Sequence, residues 1–182
     1  RGLAAGQSPV CRMARTARCE VVPVDMGILD FSPVEGILSC RVGNGTGDIT
    51  AGPAMTRAQA EQAVLTGAAL AARQAAEGVR LLATGEMGIG NTTTSAAVAC
   101  ALLGRPAEDF TGRGAGLSDA GLARKVSVIQ KALAVNRPDP ADPLDVLAKV
   151  GGFDLAGLCG VFLGGAACRV PVLADGLIST VA

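Results

Sequence analysis

Short apolar runs alternate along the chain with longer stretches of helical periodicity, and glycine-rich turns separate the two. The runs at residues 79–83 and 170–174 predict strands. The run at 20–24 predicts another, at a sheet edge or strand end, because Pro23 has no N–H to donate. Between residues 27 and 53 neither pattern holds, so this stretch is predicted to be a loop.

The helical stretches carry their own start and stop signals. Thr56 followed by Gln59 forms a capping box, and Gly78 closes that helix. Asn91 or Thr92 is expected to cap the next one. The predicted helices cover residues 7–18, 56–78, 91–103, 118–138, a short segment from Asp142, 154–167 with Asp154 as the cap, and a start at 175–176.

Strand, loop and helix in repetition predict a three-layer α/β fold with a mainly parallel, Rossmann-like sheet flanked by helices. The 182 residues fit one such domain. We expect the chain to be part of a longer one, since it starts without Met and stops inside an apolar run. In sheets of this kind ligands bind at the carboxyl ends of the strands, where the glycine loops lie here.

The residue inventory narrows the possible chemistry. The chain has no His, which excludes Ser-His-Asp and Cys-His catalysis and His-ligated zinc. It has no Trp or Tyr, which argues against a nucleic-acid binder that stacks bases. Its 16 basic residues balance 16 acidic ones, so no net field attracts nucleic acid or an anionic membrane. No metal and no cofactor are predicted.

The six cysteines show no C-x-x-C pairing, and most lie in apolar helical runs. They are interpreted as buried, reduced thiols of a cytoplasmic protein. The most apolar stretch, residues 155–168, is too short to span a bilayer and predicts a core helix.

The strongest local signal is the segment G-E-M-G-I-G-N-T-T-T at residues 85–94. Gly85, Gly88 and Gly90 let the backbone approach a ligand, and the helix that follows offers unpaired amides to an anion. Asn91 stands where a P-loop has its lysine, so an NTPase is disfavoured. Phosphate binding and a merely tight turn both remain open.

Several further residues are candidates for binding. Glu86 follows a strand and could orient a substrate, act as a base, or only cap neighbouring amides. Asp175 and Gly176 are similarly placed, as is Asp25 more weakly. A second anion-loop candidate comprises Gly112, Arg113, Gly114, Ala115 and Gly116. Lys125, on the helix after this loop, could equally be a solvated helix lysine.

Taken together, several segments resemble one family, the nicotinate-nucleotide–dimethylbenzimidazole phosphoribosyltransferases. The matching segments are P-V-D-M-G (23–27), P-A-M-T-R-A-Q-A (53–60), G-E-M-G-I-G-N-T-T-T-S-A-A (85–97), T-G-R-G-A-G-L (111–117), G-G-F-D-L-A-G-L (151–158) and P-V-L-A-D-G-L-I-S-T (171–180). The family moves the phosphoribosyl group of nicotinate mononucleotide to 5,6-dimethylbenzimidazole in cobalamin assembly. Its members are homodimers with small-molecule substrates.

The resemblance implies roles for the candidate residues. Lys125 and the loop at 112–116 would hold the 5′-phosphate. The loop that carries Glu86, Asn91 and Thr92 would face nicotinate and ribose, and Asp175-Gly176 would line the same cleft. Glu86 would be a supporting carboxylate rather than the base.

The resemblance also places the family's general base, a Glu of its C-terminal part, beyond Ala182. We therefore expect weak activity or none from these 182 residues alone. The alternative is a non-catalytic module that binds a nucleotide or a benzimidazole.

Overall fold

The structure is a computed structural model that describes residues 2–182, and about half of the chain is helical. Two compact units are present, one extending to Gly45 and the other from Thr46 to Ala182. Its elements are α1 (Pro9–Ala17), β1 (Val24–Asp25), β2 (Leu38–Ser39), α2 (Arg57–Ala76), β3 (Leu82–Ala83), α3 (Asn91–Leu103), α4 (Ala107–Phe110), α5 (Asp119–Asn136), α6 (Pro143–Val150), α7 (Phe153–Cys168), β4 (Val172–Leu173) and α8 (Gly176–Val181). The mixed α/β class is confirmed.

The first unit contains α1 and a two-stranded parallel sheet of β1 and β2. Of the predicted 20–24 strand only Val24 pairs, together with Asp25 just after it, and β2 lies inside the stretch predicted to be a loop. Pro23 has no N–H to donate but accepts a hydrogen bond from Leu38 through its carbonyl group, so the ladder starts only at that point. Two-residue pairing leaves little periodic signal in the sequence, which explains why β2 was missed.

An ion pair stabilises the loop after β1. Asp25 is 3% exposed and accepts hydrogen bonds from the Gly27 and Ile28 amides and from Arg41 Nη1, the last at 2.7 Å. Burial by itself raises the pKa of this carboxyl, but the hydrogen bonds from Ile28, Arg41 and Gly27 outweigh it and the pKa falls below 3.8. Asp25 therefore carries its charge in the folded unit.

The second unit is built around helix α7, which packs along α2. Glycines allow their backbones to meet: a Cβ built on Gly67 would lie 1.9 Å from Gly157 O, and one built on Gly160 would lie 2.0 Å from Val64 O. No side chain fits in that space, so these glycines are required for the helices to approach this closely. The apolar run 155–168 is thus a core helix, as predicted.

Helix α3 contacts α4, α5, α6 and α8 within the second unit. Its residues 95–100 are all buried. A helix that is apolar on every side belongs inside a protein. Because α3 begins directly after the glycine loop, the core fixes the position of its N-terminus.

Most local signals are confirmed by the structure. The Thr56–Gln59 capping box forms, Ser118 caps α5, and Asp142 caps α6. Two caps were predicted wrongly: Gly90 precedes α3 in place of Asn91 or Thr92, and Gly152 precedes α7 in place of Asp154.

The strands of the second unit are also shorter than predicted. β3 and β4 form a two-residue parallel ladder, with Leu82 opposite Val172 and Ala83 opposite Leu173. The mainly parallel pairing is as expected, whereas the three-layer Rossmann-like arrangement and the single domain stay predictions.

The cysteines are only partly as predicted. Cys11 and Cys100 are buried, whereas Cys19 and Cys168 are exposed. The two exposed cysteines lie at helix ends, Cys19 just after α1 and Cys168 as the last residue of α7. None of the helices described between residues 2 and 182 combines the length and apolar character that a membrane crossing requires.

Candidate functional site

Two predicted site segments leave the β3–β4 sheet side by side. The strands are parallel, so their carboxyl ends lie at the same edge. Thr84 extends the pairing through its amide to Leu173 O at 3.0 Å, and its hydroxyl donates to Ser179 Oγ at 2.9 Å. The loop that carries Glu86 and the Asp175-Gly176 turn therefore both start at this edge.

The loop that joins β3 to α3 is organised around Glu86. Its Oε2 accepts hydrogen bonds from the Gly88 amide at 2.9 Å and from Asn91 Nδ2. Gly90 has φ 81°, and no side chain caps the helix that follows. In the first turn of α3 the Thr93 amide donates to Gly90 O at 2.9 Å, whereas the Asn91 and Thr92 amides have no side-chain acceptor among the described residues, which favours an anion at this point.

Residues 112–116 form a tight glycine turn before α5. Gly114 and Gly116 have φ 53° and 104°, a region in which other residues are strained. The Gly116 amide donates to Arg113 O at 3.1 Å. Arg113 itself donates to Leu117 O and pairs with Asp119, so its guanidinium braces the loop in this structure.

Lys125 joins the two loops. Its Nζ donates to Thr92 Oγ1 at 2.8 Å and to Gly112 O at 3.2 Å. The residue is 7% exposed, so the solvated helix lysine considered above is wrong. Burial lowers the pKa of its ammonium group.

The Lys125 ammonium has hydrogen bonds but no counter-charge. Within residues 2–182 no carboxylate forms an ion pair with it, although seven such pairs form elsewhere. A buried, uncompensated cation is costly, and an anion at the same place would remove that cost. A Cβ built on Gly114 would lie 3.3 Å from Thr92 Oγ1, so the second loop lies directly against the first turn of α3.

Asp154 was missed as a site residue. Predicted as a helix cap, it lies in the first turn of α7, and its Oδ2 accepts a hydrogen bond from Asn91 Nδ2 at 2.9 Å. Two glycines before an acidic residue at a helix start, as in G-G-F-D, were the available signal. That pattern does not reveal a partner 63 positions away.

The structure therefore brings the start of α3, the second glycine loop and Lys125 together, and it places Asp175-Gly176 at the same sheet edge as Glu86. Across the described residues no group of three His, Cys, Asp or Glu side chains is placed to hold a metal ion. The local groups are an ammonium, backbone amides and carboxylates. Such groups can bind a phosphate and orient polar atoms beside it.

Comparison with known proteins defines the class. The sequence model of the DBI_PRT family, described as phosphoribosyltransferase, matches residues 1–182. The chain belongs to this phosphoribosyltransferase family.

The particular relatives are nicotinate-nucleotide–dimethylbenzimidazole phosphoribosyltransferases. Those of Acetivibrio thermocellus and Roseiflexus sp. strain RS-1 are 50% and 54% identical over 97% and 96% of this chain, and 50% of each relative is covered. The crystal structure of CobT from Thermus thermophilus matches with a TM-score of 0.93 at 41% identity, covering 99% of this chain and 54% of that one. The chain thus spans about half the length of the curated relatives it matches. The family resemblance seen in the sequence is confirmed.

Proposed function

We propose that this chain carries the phosphoribosyl-binding part of an enzyme that converts nicotinate mononucleotide and 5,6-dimethylbenzimidazole into α-ribazole 5′-phosphate and nicotinate. The names of relatives at about 50% identity support the reaction. The single structural observation that supports it most is Lys125, a buried ammonium without a carboxylate partner between two glycine loops. A phosphate monoester supplies the missing negative charge.

The proposed phosphate site has three parts. Lys125 supplies the positive charge, the first turn of α3 at Asn91 and Thr92 supplies amides and a hydroxyl, and the loop at 112–116 supplies further amides. Thr92 Oγ1 already accepts from Lys125, so its own proton is free to point at a phosphate oxygen. Direct hydrogen bonds to a charged phosphate are stronger than neutral ones.

In this reaction the main task of these residues is to bind and orient the substrates. The C1′–N bond to the pyridinium breaks, its electrons neutralise the departing ring, and a new C1′–N bond forms to the benzimidazole. Nicotinate leaves without needing a proton, while the benzimidazole N–H proton passes to a base. Glu86 and Asp175 then serve as acceptors for substrate hydroxyl or ring N–H groups at the sheet edge.

The same proposal covers the kind of substrate, the cellular compartment and the oligomeric state. The substrates are small molecules, and neither nucleic acid nor a membrane takes part. The enzyme works in the cytoplasm as a homodimer without metal or cofactor. Support comes from the balanced charge and from free thiols at Cys19 and Cys168, which suit a reducing compartment.

The test uses the natural polypeptide that carries these residues. It is incubated with nicotinate mononucleotide and dimethylbenzimidazole, and nicotinate release is followed by chromatography. Lys125→Ala is expected to weaken nucleotide binding roughly 10- to 100-fold, the loss typical of one hydrogen bond to a charged group. Calorimetric titration measures this loss directly.

Lys131→Ala is the matched control, because Lys131 is an exposed lysine on the same helix. It should leave affinity and turnover unchanged. No nicotinate release by the wild type would refute the reaction. Unchanged affinity in Lys125→Ala would refute the phosphate role while leaving the reaction standing. Tight nucleotide binding without any transfer would favour the non-catalytic module.

A further inference from the structure

A carboxylate on helix α7 is linked to the Glu86 loop through one amide side chain. Asn91, the first residue of α3, is 7% exposed. Its Nδ2 donates to Glu86 Oε2 and also to Asp154 Oδ2, the latter at 2.9 Å. An amide nitrogen has two protons, so both are used. Because both acceptors are carboxylate oxygens, only the NH2 end of Asn91 can face them.

Asp154 is held in place on both of its oxygens. The Leu155 amide donates to Oδ1 at 2.9 Å, which ties the carboxylate to its own helix. Two glycines leave the space it occupies: a Cβ built on Gly88 would lie 2.2 Å from Oδ2, and one built on Gly152 would lie 2.5 Å from Oδ1. Asp154 is thus a fixed point on α7.

Glu86, by contrast, is exposed and lies in a loop with three glycines. Its side chain is held only by the Gly88 amide and Asn91 among the hydrogen bonds formed between residues 2 and 182. Over that same range no Lys or Arg pairs with Glu86 or Asp154. Two carboxylates that share one neutral donor repel each other, so the arrangement adds little to stability.

We infer that Asp154 is a positioning residue for the phosphoribosyl transfer: it orients Asn91, whose second amide proton fixes the Glu86 carboxylate at the sheet edge. The catalytic consequence depends on the proposed function, in which Glu86 faces the substrate. The positioning itself depends only on the hydrogen bonds and the space left by the glycines. Asp154 makes no contact with substrate in this scheme and acts through Asn91.

A double-mutant cycle in the natural polypeptide tests the functional link. Asp154→Ala and Glu86→Ala should each lower kcat/KM on the order of tenfold. If Asp154 acts through Glu86, removing it from the Glu86→Ala background should cost less than about twofold more, because coupled residues are not additive. Asp154→Asn keeps one acceptor oxygen, so its kcat/KM should lie between those of the wild type and Asp154→Ala.

The control is Asp145→Ala, which removes a carboxylate from the first turn of the neighbouring helix α6 and should leave kcat/KM unchanged. Fully additive losses, or an Asp154→Ala enzyme with wild-type kcat/KM, would overturn the inference. So would an active enzyme whose kcat/KM is insensitive to Glu86→Ala, since Asp154 would then have no reacting group to position.

Hydrogen exchange gives a second readout that needs no activity. In Asp154→Ala the amides of residues 85–90, and that of Gly88 above all, should exchange on the order of tenfold faster. Those of residues 156–165 in α7 should keep their wild-type rates, which shows that the fold is intact. Unchanged exchange at 85–90 overturns the inference. A protein that shows faster exchange but releases no nicotinate would refute the proposed function and support the positioning.

Discussion

Replacing Gly160 by Ala tests whether α2 and α7 meet as closely as the structure shows. The added Cβ would lie 2.0 Å from Val64 O and 2.8 Å from Ala68 N. Real Cβ atoms essentially never come within 3.0 Å of another heavy atom, so the helices must separate by about 1 Å. The obstructing atoms are backbone and cannot rotate away.

The magnitude follows from two opposing effects. Overpacking a well-packed core costs about 1–3 kcal/mol, and rigid backbone on the other side favours the upper end of that range. Alanine's better helix propensity returns about 1 kcal/mol. We therefore expect a net loss of about 2 kcal/mol in the free energy of unfolding, or a Tm lower by roughly 4–8 °C.

The assay is denaturant unfolding followed by circular dichroism, with two companion variants. In Gly164→Ala the added Cβ would lie 2.6 Å from Ala68 O, so the loss of unfolding free energy should be smaller than in Gly160→Ala. Gly121→Ala lies on α5, where the nearest atom is the movable Leu117 side chain at 3.2 Å, and should stay within about 1 kcal/mol of wild type. If Gly160→Ala unfolds at the same midpoint as Gly121→Ala, the close approach of the two helices is refuted.

Two further predictions concern stability. Arg137 ends α5 with φ 44°, so Arg137→Gly should raise the free energy of unfolding by about 0.5–1 kcal/mol in thermal denaturation. Arg124→Gly, an exposed position inside the same helix, should lower it by about 1 kcal/mol, and equal effects would contradict the left-handed end. The folded pKa of Asp25 lies below 3.8, so its contribution is present above that pH and is lost as the pH falls through the folded value. Asp25→Asn should therefore cost about 1–3 kcal/mol at pH 7, where Arg41 loses its charged partner, and progressively less as the pH falls below 3.8; a pH-independent difference in urea midpoints would contradict this.

The sequence determined the features that depend on neighbouring residues. Helix starts at Thr56, Ser118 and Asp142 and the glycine end at Gly78 follow from contacts within one turn, so the residues that make them are close in the sequence. The glycine loops could be found for the same reason. A loop position that requires a positive φ is usually occupied by glycine, so it can be recognised in the sequence.

Only the tertiary structure decided how distant residues meet. From the sequence, Lys125 could be either a solvated lysine or a phosphate ligand. Its burial and its hydrogen bond to Thr92, 33 positions away, exclude the solvated lysine. Asp154 looked like a cap until Asn91 proved to be its partner. Strand length likewise depends on which partner offers hydrogen bonds, as β2 shows. Burial and pairing depend on the whole packed chain, so local patterns cannot determine them.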